Sequence, residues 1–195
     1  MVFFWNKDKK AFGKTYKMIK GVIKGKDVLE LATGNGLIVY HTASVAHSYI
    51  ATDFSEKTIS KTQADKHFNM LTSQGVELML EQADPTYLLY PDDFFDVVII
   101  TNALQTMQDP DVVLENVRRV LRPGGVLIAP TYVHDEDTWW QRFKLRMLKL
   151  KGMREYSHWT EKGFHQYLQS HGFSIMRSRI FDAFFPMAYV ECKME

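Results

Sequence analysis

Asp27-Val28-Leu29-Glu30-Leu31-Ala32-Thr33-Gly34-Asn35-Gly36-Leu37-Ile38-Val39 is the stretch whose reading decides the fold. Val28, Leu29, Leu31 and Ala32 form an apolar run of the kind found in parallel strands, which are covered on both faces. The run breaks into Thr33-Gly34-Asn35-Gly36, where two glycines allow positive φ and let a ligand approach the backbone closely. Leu37 to Ala46 reads as a helix, so the loop ends where free backbone N–H groups face outward. Strand, glycine turn and helix are together the parts of a nucleotide-type cofactor site.

Working outward, Ser48-Tyr49-Ile50-Ala51-Thr52-Asp53 reads as the next strand and ends in a carboxylate. In an open parallel sheet the carboxyl ends of strands line the crevice where ligands bind. A carboxylate there accepts both hydroxyls of a ribose and repels a 2′-phosphate. The competing role for Asp53 is a helix N-cap, with Ser55 its rival for that position. The dinucleotide fingerprint needs a third small residue three positions after the second glycine, and this chain has the bulky Val39 there.

The loop instead reads acidic-x-small-x-Gly-x-Gly, with Glu30, Ala32, Thr33, Gly34 and Gly36. This resembles the first motif of the class I S-adenosylmethionine-dependent methyltransferases, of the small-molecule type. Ala83-Asp84-Pro85, followed by Leu88, Asp92 and Phe95-Asp96-Val97-Val98, is similar to that family's stretch from the third strand to the fourth. Asn102-Ala103-Leu104-Gln105-Thr106-Met107-Gln108-Asp109-Pro110 looks like its loop after strand four, and Leu121-Arg122-Pro123-Gly124-Gly125 like the turn into strand five. The likeness covers about residues 27 to 193. It implies S-adenosyl-L-methionine as cofactor and S-adenosyl-L-homocysteine as product. It further implies a ribose partner in Asp53, an adenine platform in Phe54, and further cofactor contacts from Glu30, Ala83, Asp84, Pro85, Asn102 and Leu104.

Three departures from the family pattern carry consequences. Ala32 stands at the first glycine and should tighten the turn. Pro85 replaces a residue whose N–H usually reaches adenine, and proline has none, a loss of about 1 kcal/mol unless replaced. Gln105 stands where many relatives carry histidine, which removes proton transfer from that position.

Composition sets the frame. A chain of 195 residues with 46% hydrophobic and 24% charged residues suits one domain, 1–195, with a full core. The single cysteine, Cys192, excludes an internal disulfide and a CxxC metal site, and no spaced histidine pair reads as a metal centre. No apolar run approaches the ~20 residues of a membrane span, and Met1-Val2-Phe3-Phe4-Trp5 is too short for a signal-peptide core. A cytoplasmic protein is the expectation. Net charge is +1, yet residues 1–26 carry +7, residues 27–138 carry −11 and residues 139–195 carry +5. Solvated faces explain such segments in general; the alternative is that both basic segments flank the substrate entrance and attract an anionic surface.

Phe12, Tyr16, Ile19 and Ile23 recur at helical spacing, so residues 1–26 should hold a basic amphipathic helix. Strands are expected near 27–32, 48–53, 76–82, 95–101, 125–131, 174–181 and 187–193, and helices near 37–46, 56–72, 111–121 and 160–170. That alternation predicts an α/β fold with a Rossmann-like open sheet of seven strands, mostly parallel, and helices on both faces. The resemblance adds an antiparallel C-terminal hairpin.

Methyl transfer is an in-line displacement in which positioning supplies roughly 7–11 kcal/mol, so no catalytic signature is required. His134 and Tyr132, just past strand five, are the candidates for a base and a substrate contact. Gln105, Trp139, Trp140, Phe143, Tyr156 and His158 are the expected substrate contacts. Residues 136–157 read as an inserted helical lid, with Trp139, Trp140, Phe143, Met147 and Leu150 within about 100° of one face and six basic residues besides. A lid over the site competes with an interfacial helix on anionic membrane, which would imply a lipid, quinone-like or otherwise amphiphilic acceptor. Nucleic acid is disfavoured for want of an aromatic stacking platform. The expectation is therefore transfer of a methyl group to a small or amphiphilic acceptor. A non-catalytic regulatory protein that binds the cofactor is the first alternative, and a nicotinamide-dependent oxidoreductase the second.

Overall fold

The computed structural model describes residues 6–133, 159–183 and 186–195, with side chains from residue 9 onward. In chain order the elements are α1 (Asn6–Ile23), β1 (Asp27–Leu31), α2 (Leu37–Thr42), β2 (Ser48–Asp53), α3 (Glu56–Gln63), α4 (Lys66–Ser73) and β3 (Leu78–Gln82). They continue as β4 (Phe95–Ile100), α5 (Pro110–Val120), β5 (Leu121–Ile128), β6 (Thr131–Tyr132), α6 (Glu161–Ser170), β7 (Phe173–Phe181) and β8 (Met187–Met194). The lid expected at 136–157 lies outside the described residues.

The sheet is eight-stranded, with β3, β2, β1, β4 and β5 parallel in that order and β8 antiparallel beside β5. β7 forms the far edge, paired with β8 along its whole length from Phe173↔Met194 to Phe181↔Met187. β5 and β6 share the other edge of β8, through Val126↔Lys193 and Thr131↔Ala188. The strand beyond the seven expected is thus one long strand interrupted at Pro130, which lacks an N–H and has a fixed φ.

Helices cover both faces because the strands are apolar on both. Leu29, Leu31, Val98 and Ile100 face α5 and α6, where Val113, Leu114, Val117, Phe164 and Leu168 complete one buried cluster. Val28, Val97 and Ile99 face the other way, against Ile19 and Ile23 of α1 and Ile38 and Val39 of α2. Val39 is fully buried there, which is the use this chain makes of the bulky side chain that the dinucleotide fingerprint would exclude.

One expected helix is two. The run near 56–72 breaks at Ala64-Asp65, because Asp65 accepts the His67 N–H at 2.9 Å and starts α4 as its N-cap. The expected 37–46 helix likewise ends at Thr42 and finishes as a 3₁₀ turn over Ala43–Val45.

Candidate functional site

The loop after β1 is held by two elements, β2 and α3. Its Thr33 N–H donates to the Thr52 carbonyl of β2 at 2.8 Å, and its Gly34 N–H to Asp53 Oδ2 at 3.0 Å. From α3, the Thr62 hydroxyl donates to the Gly34 carbonyl at 2.9 Å. Ala32, Gly34 and Gly36 have φ of 56°, 58° and 74°, alternating with residues of negative φ. The N–H groups of this turn serve the fold itself: Thr33 and Gly34 donate to β2 as above, and Gly36 to the Thr33 carbonyl at 3.1 Å. Ala32 is the surprising member, since a side chain in this conformation costs about 1–2 kcal/mol.

Asp53 is not the cap of α3; Ser55 is, accepting the Thr58 N–H. The Asp53 carboxylate holds Gly34 N–H on Oδ2 and Ser55 N–H on Oδ1, each at 3.0 Å. A carboxylate has about four lone-pair sites, so two remain for a pair of hydroxyls. Phe54, the next residue, is 68% exposed. Asp84 uses Oδ1 for the Thr86 N–H and hydroxyl, at 2.8 and 2.6 Å. Pro85 has no N–H and that of Thr86 is engaged, so the backbone donor expected for adenine is not supplied by either residue. The Ala83 N–H is also occupied, by the Asp53 carbonyl at 3.1 Å.

Glu30 lies beneath the loop, 1% exposed, and accepts the buried Tyr49 hydroxyl at 2.7 Å. Burial pushes its carboxyl up to about 7, against the Tyr49 hydrogen bond and with help from nearby Asp53. Thr33 Oγ1 is close enough to favour the charged form but makes no hydrogen bond of ordinary geometry. Tyr16 of α1 is held up to about 12 by burial and by Glu30, and its ring stacks on His41 at 4.4 Å.

Across the crevice, at the tip of β4, Asn102 has φ 50° and its N–H donates to the Pro130 carbonyl at 2.7 Å. Gln105 follows in a 3₁₀ turn, 5% exposed, with Oε1 accepting the Thr131 hydroxyl at 2.6 Å. That bond takes the carbonyl end of the Gln105 amide. The Leu104 side chain is in the α5/α6 core, so only its backbone can face the crevice. Tyr132 is half-buried against the α1 side of the core. His134, Trp139, Trp140, Phe143, Tyr156 and His158 lie outside the described residues. Trp159, just after them, packs its ring 5.0 Å from Phe164.

The buried side-chain atoms without a hydrogen-bond partner among the described residues are Thr33 Oγ1, Thr101 Oγ1 and Asn102 Oδ1. All three belong to the carboxyl ends of β1 and β4, facing the switch point of the sheet. Orphaned buried polar atoms are rare, and a cluster of them at one crevice fits a polar ligand such as the amino-acid part of the cofactor. A hollow of about 270 Å³ opens beside the loop, between Asn35, Tyr40, His41 and Lys61. A larger one of about 380 Å³, at Gly124 and Lys193, lies at the amino edge of the sheet and touches no site residue. Among the described residues no group of His, Cys, Asp or Glu is placed to hold a metal, and no helix is long and apolar enough to cross a membrane.

Asn116 and Arg119 belong to the site indirectly and carry no sequence signal. Arg119 donates to the carbonyls of Tyr90 and Leu88 at 2.7 and 2.6 Å and to Asp92 at 2.9 Å. Asn116 Nδ2 donates to the Thr86 carbonyl at 2.9 Å. Together they clamp the segment that carries Asp84.

A family model described as a methyltransferase domain matches residues 29–129, more than half of the chain. A ubiquinone/menaquinone biosynthesis C-methyltransferase from Francisella tularensis is 34% identical over 111 residues, 56% of this chain and 44% of that protein. The chain therefore spans less than half the length of that curated relative. Among solved structures, magnesium protoporphyrin IX methyltransferase from Synechocystis, with bound S-adenosylhomocysteine, superposes with a TM-score of 0.75 at 18% identity, over 100% of this chain and 89% of that one. A [4+2]-cyclase matches with the same TM-score of 0.75 at 16% identity, over 95% of this chain and 81% of that one. Likeness at that level speaks for the fold alone.

Proposed function

The chain belongs to the methyltransferase-domain family of class I S-adenosylmethionine-dependent enzymes, and from that premise we propose that it methylates a small amphiphilic acceptor of the quinol type. When bound, the cofactor supplies a methyl group already activated on sulfur. What remains for the chain is to bind, align and exclude water, the part of catalysis that positioning alone can perform.

The residues fit that division of labour. The loop at Gly34 offers open backbone for the methionine moiety, since nothing lies within 4 Å of where a Cβ would stand. Thr101 and Asn102 complete the crevice with buried oxygens. The spare acceptor sites of Asp53 suit the ribose hydroxyls, and exposed Phe54 suits adenine. On the acceptor side, Gln105 contributes a neutral donor oriented by Thr131. A neutral donor suits a phenolic or quinol oxygen, whose lone pair makes the adjacent ring carbon nucleophilic; as that carbon takes the methyl group and S-adenosylhomocysteine leaves, the proton the acceptor loses would pass to solvent, since the Gln105 amide takes none. The relatives named for carbon methylation in ubiquinone and menaquinone biosynthesis support the same acceptor class. The observation that carries the reading is the trio of unpartnered buried oxygens at the β1 and β4 tips.

Calorimetric titration with S-adenosylhomocysteine, and with NADH as control, tests the cofactor; micromolar binding of the first and none of the second is expected. Turnover is then followed with labelled S-adenosylmethionine across hydroquinones with and without an isoprenoid tail. Carbon methylation preferring the tailed acceptors is the expected result. Cofactor binding with no product across that panel would leave a cofactor-binding protein without this catalysis.

A further inference from the structure

We propose that the lysine face of α1 is a docking surface for an anionic lipid bilayer, which holds the rim of the crevice at the membrane. The meaning of this contact for catalysis rests on the amphiphilic acceptor proposed above; the contact itself does not.

At 100° per residue, Lys9, Lys10, Lys14, Lys17 and Lys20 of α1, with Lys24 in the turn just past its end, fall within an arc of about 140°, and all six are exposed. The opposite arc holds the buried Ala11, Phe12, Thr15, Ile19 and Ile23. No acidic residue occurs between Lys9 and Lys26, and none of the six lysines makes an ion pair among the described residues. Lys10/Lys14, Lys14/Lys17, Lys17/Lys20 and Lys20/Lys24 stand three or four apart, the spacing at which like charges destabilise a helix. Among the described residues no counter-charge stands against this face, and an anionic surface would supply one.

Gly13 and Gly21 lie on the same arc. A Cβ at either would meet nothing within 4 Å, so no packing among the described residues explains a glycine there. Glycine weakens a helix interior. Here it thins the face, which lets the helix lie close to a flat surface while neighbouring lysines reach past it to phosphate headgroups.

The placement suits delivery of an acceptor. Lys14 Nζ sits 5.8 Å from the Phe181 ring centre. Phe181 pairs with Met187, and Met187 with Tyr132 just beyond the carboxyl end of β5. The other end of α1 is tied at the amino edge, where the Gly25 N–H donates to the Val45 carbonyl at 2.8 Å. The helix therefore runs antiparallel to β1, with Lys9, Lys10 and Lys14 on the edge that also bears Gly34 and Asp53. The half-buried Tyr16 is stacked on His41 and so is not open to a nucleic-acid base.

Sedimentation with phosphatidylcholine vesicles, with and without phosphatidylglycerol, is the test. The protein should pellet only with the anionic vesicles and be released as salt rises. In the Lys9→Gln/Lys10→Gln/Lys14→Gln/Lys17→Gln variant, affinity should fall by about five-fold per lysine. Its affinity for S-adenosylhomocysteine should stay unchanged, which verifies the fold. No pelleting at low salt, or equal pelleting of the variant, overturns the proposal. So does release by inorganic phosphate at constant ionic strength, which would mark a single-anion site. Sedimentation velocity without lipid decides the remaining occupant: self-association abolished in the variant would identify a second copy and overturn the bilayer. Vesicle binding that persists while every quinol goes unmethylated would sink the acceptor reading and leave the docking intact.

Discussion

A Cβ added at Gly36 would meet the Tyr40 ring at 2.6 Å and Thr62 Cγ2 at 2.8 Å, whereas at Gly34 it would meet nothing within 4 Å. The two glycines of one loop therefore have separable uses, close packing at Gly36 and open backbone at Gly34. Gly36→Ala should cost about 2–4 kcal/mol of stability in urea unfolding, from left-handed strain plus overpacking. Gly34→Ala should cost only about 1–2 kcal/mol yet lower cofactor affinity in calorimetry at least as much as Gly36→Ala does. Ala32→Gly runs the other way: relief of left-handed strain, less the entropy of a new glycine, should stabilise by about 0.5–1 kcal/mol. Glu30 sets a pH dependence. Its carboxyl is raised from 4.5 to about 7 in the folded protein, so between those values the native state holds a proton that the unfolded chain has released. Stability contributed by this residue is thus full below about 4.5, is lost as pH rises, and levels off above about 7. Glu30→Gln, which keeps an acceptor for Tyr49, should match the parent near the acid end. It should exceed the parent by roughly 2–4 kcal/mol at mildly alkaline pH in urea titrations. A constant difference across that range would refute burial as the cause.

At the scale of elements, α5 supports the site without entering it. Arg119 reaches three acceptors on the segment between β3 and β4, and Asn116, one turn away, reaches a fourth. This segment carries Asp84 and follows an edge strand, with buried Leu88 and the Tyr90 hydroxyl on Glu81 as further anchors. Arg119→Ala should destabilise by about 2–3 kcal/mol, because it leaves the Leu88 and Tyr90 carbonyls unpaired. Cofactor affinity should fall with it. Arg119→Lys should recover little of either loss, since one ammonium cannot span acceptors that a guanidinium fork reaches together. Thermal unfolding with and without S-adenosylhomocysteine separates the two effects. The same logic applies to α3, whose Thr62 is tied to the glycine loop, and explains why that helix stops where it does: α4 must turn away at Asp65.

For the molecule as a whole, β8 is the strand on which the C-terminal third depends, pairing with β5, β6 and β7. Cys192 lies in it, fully buried, with its thiol pushed up to about 12 chiefly by burial. A thiol-specific reagent at neutral pH should therefore react only through unfolding, at a rate that rises with denaturant in step with the loss of far-ultraviolet circular dichroism. Prompt reaction in the native state would show that β8 opens locally. Truncation before Met187 should abolish folding, since β5 loses a neighbour and β7 the strand it pairs with among the described residues.

The sequence by itself determined the strand–loop–helix unit, the carboxylate at the end of the second strand, the alternation that builds the open sheet and the amphipathic character of α1. These are local properties: glycine spacing, capping residues and hydrophobic period act between neighbours within a few residues of one another. Even Pro85 could be read in advance, because a missing N–H is a property of one residue. Tertiary structure alone decided that Ala32 takes a left-handed conformation, that Glu30 is buried with Tyr49 and beside Tyr16, and that Thr131 orients Gln105. It alone gave Arg119 its acceptors. Each of these joins residues brought together only by packing of the sheet against its helices, and the free energy of such a contact depends on burial that no local pattern encodes.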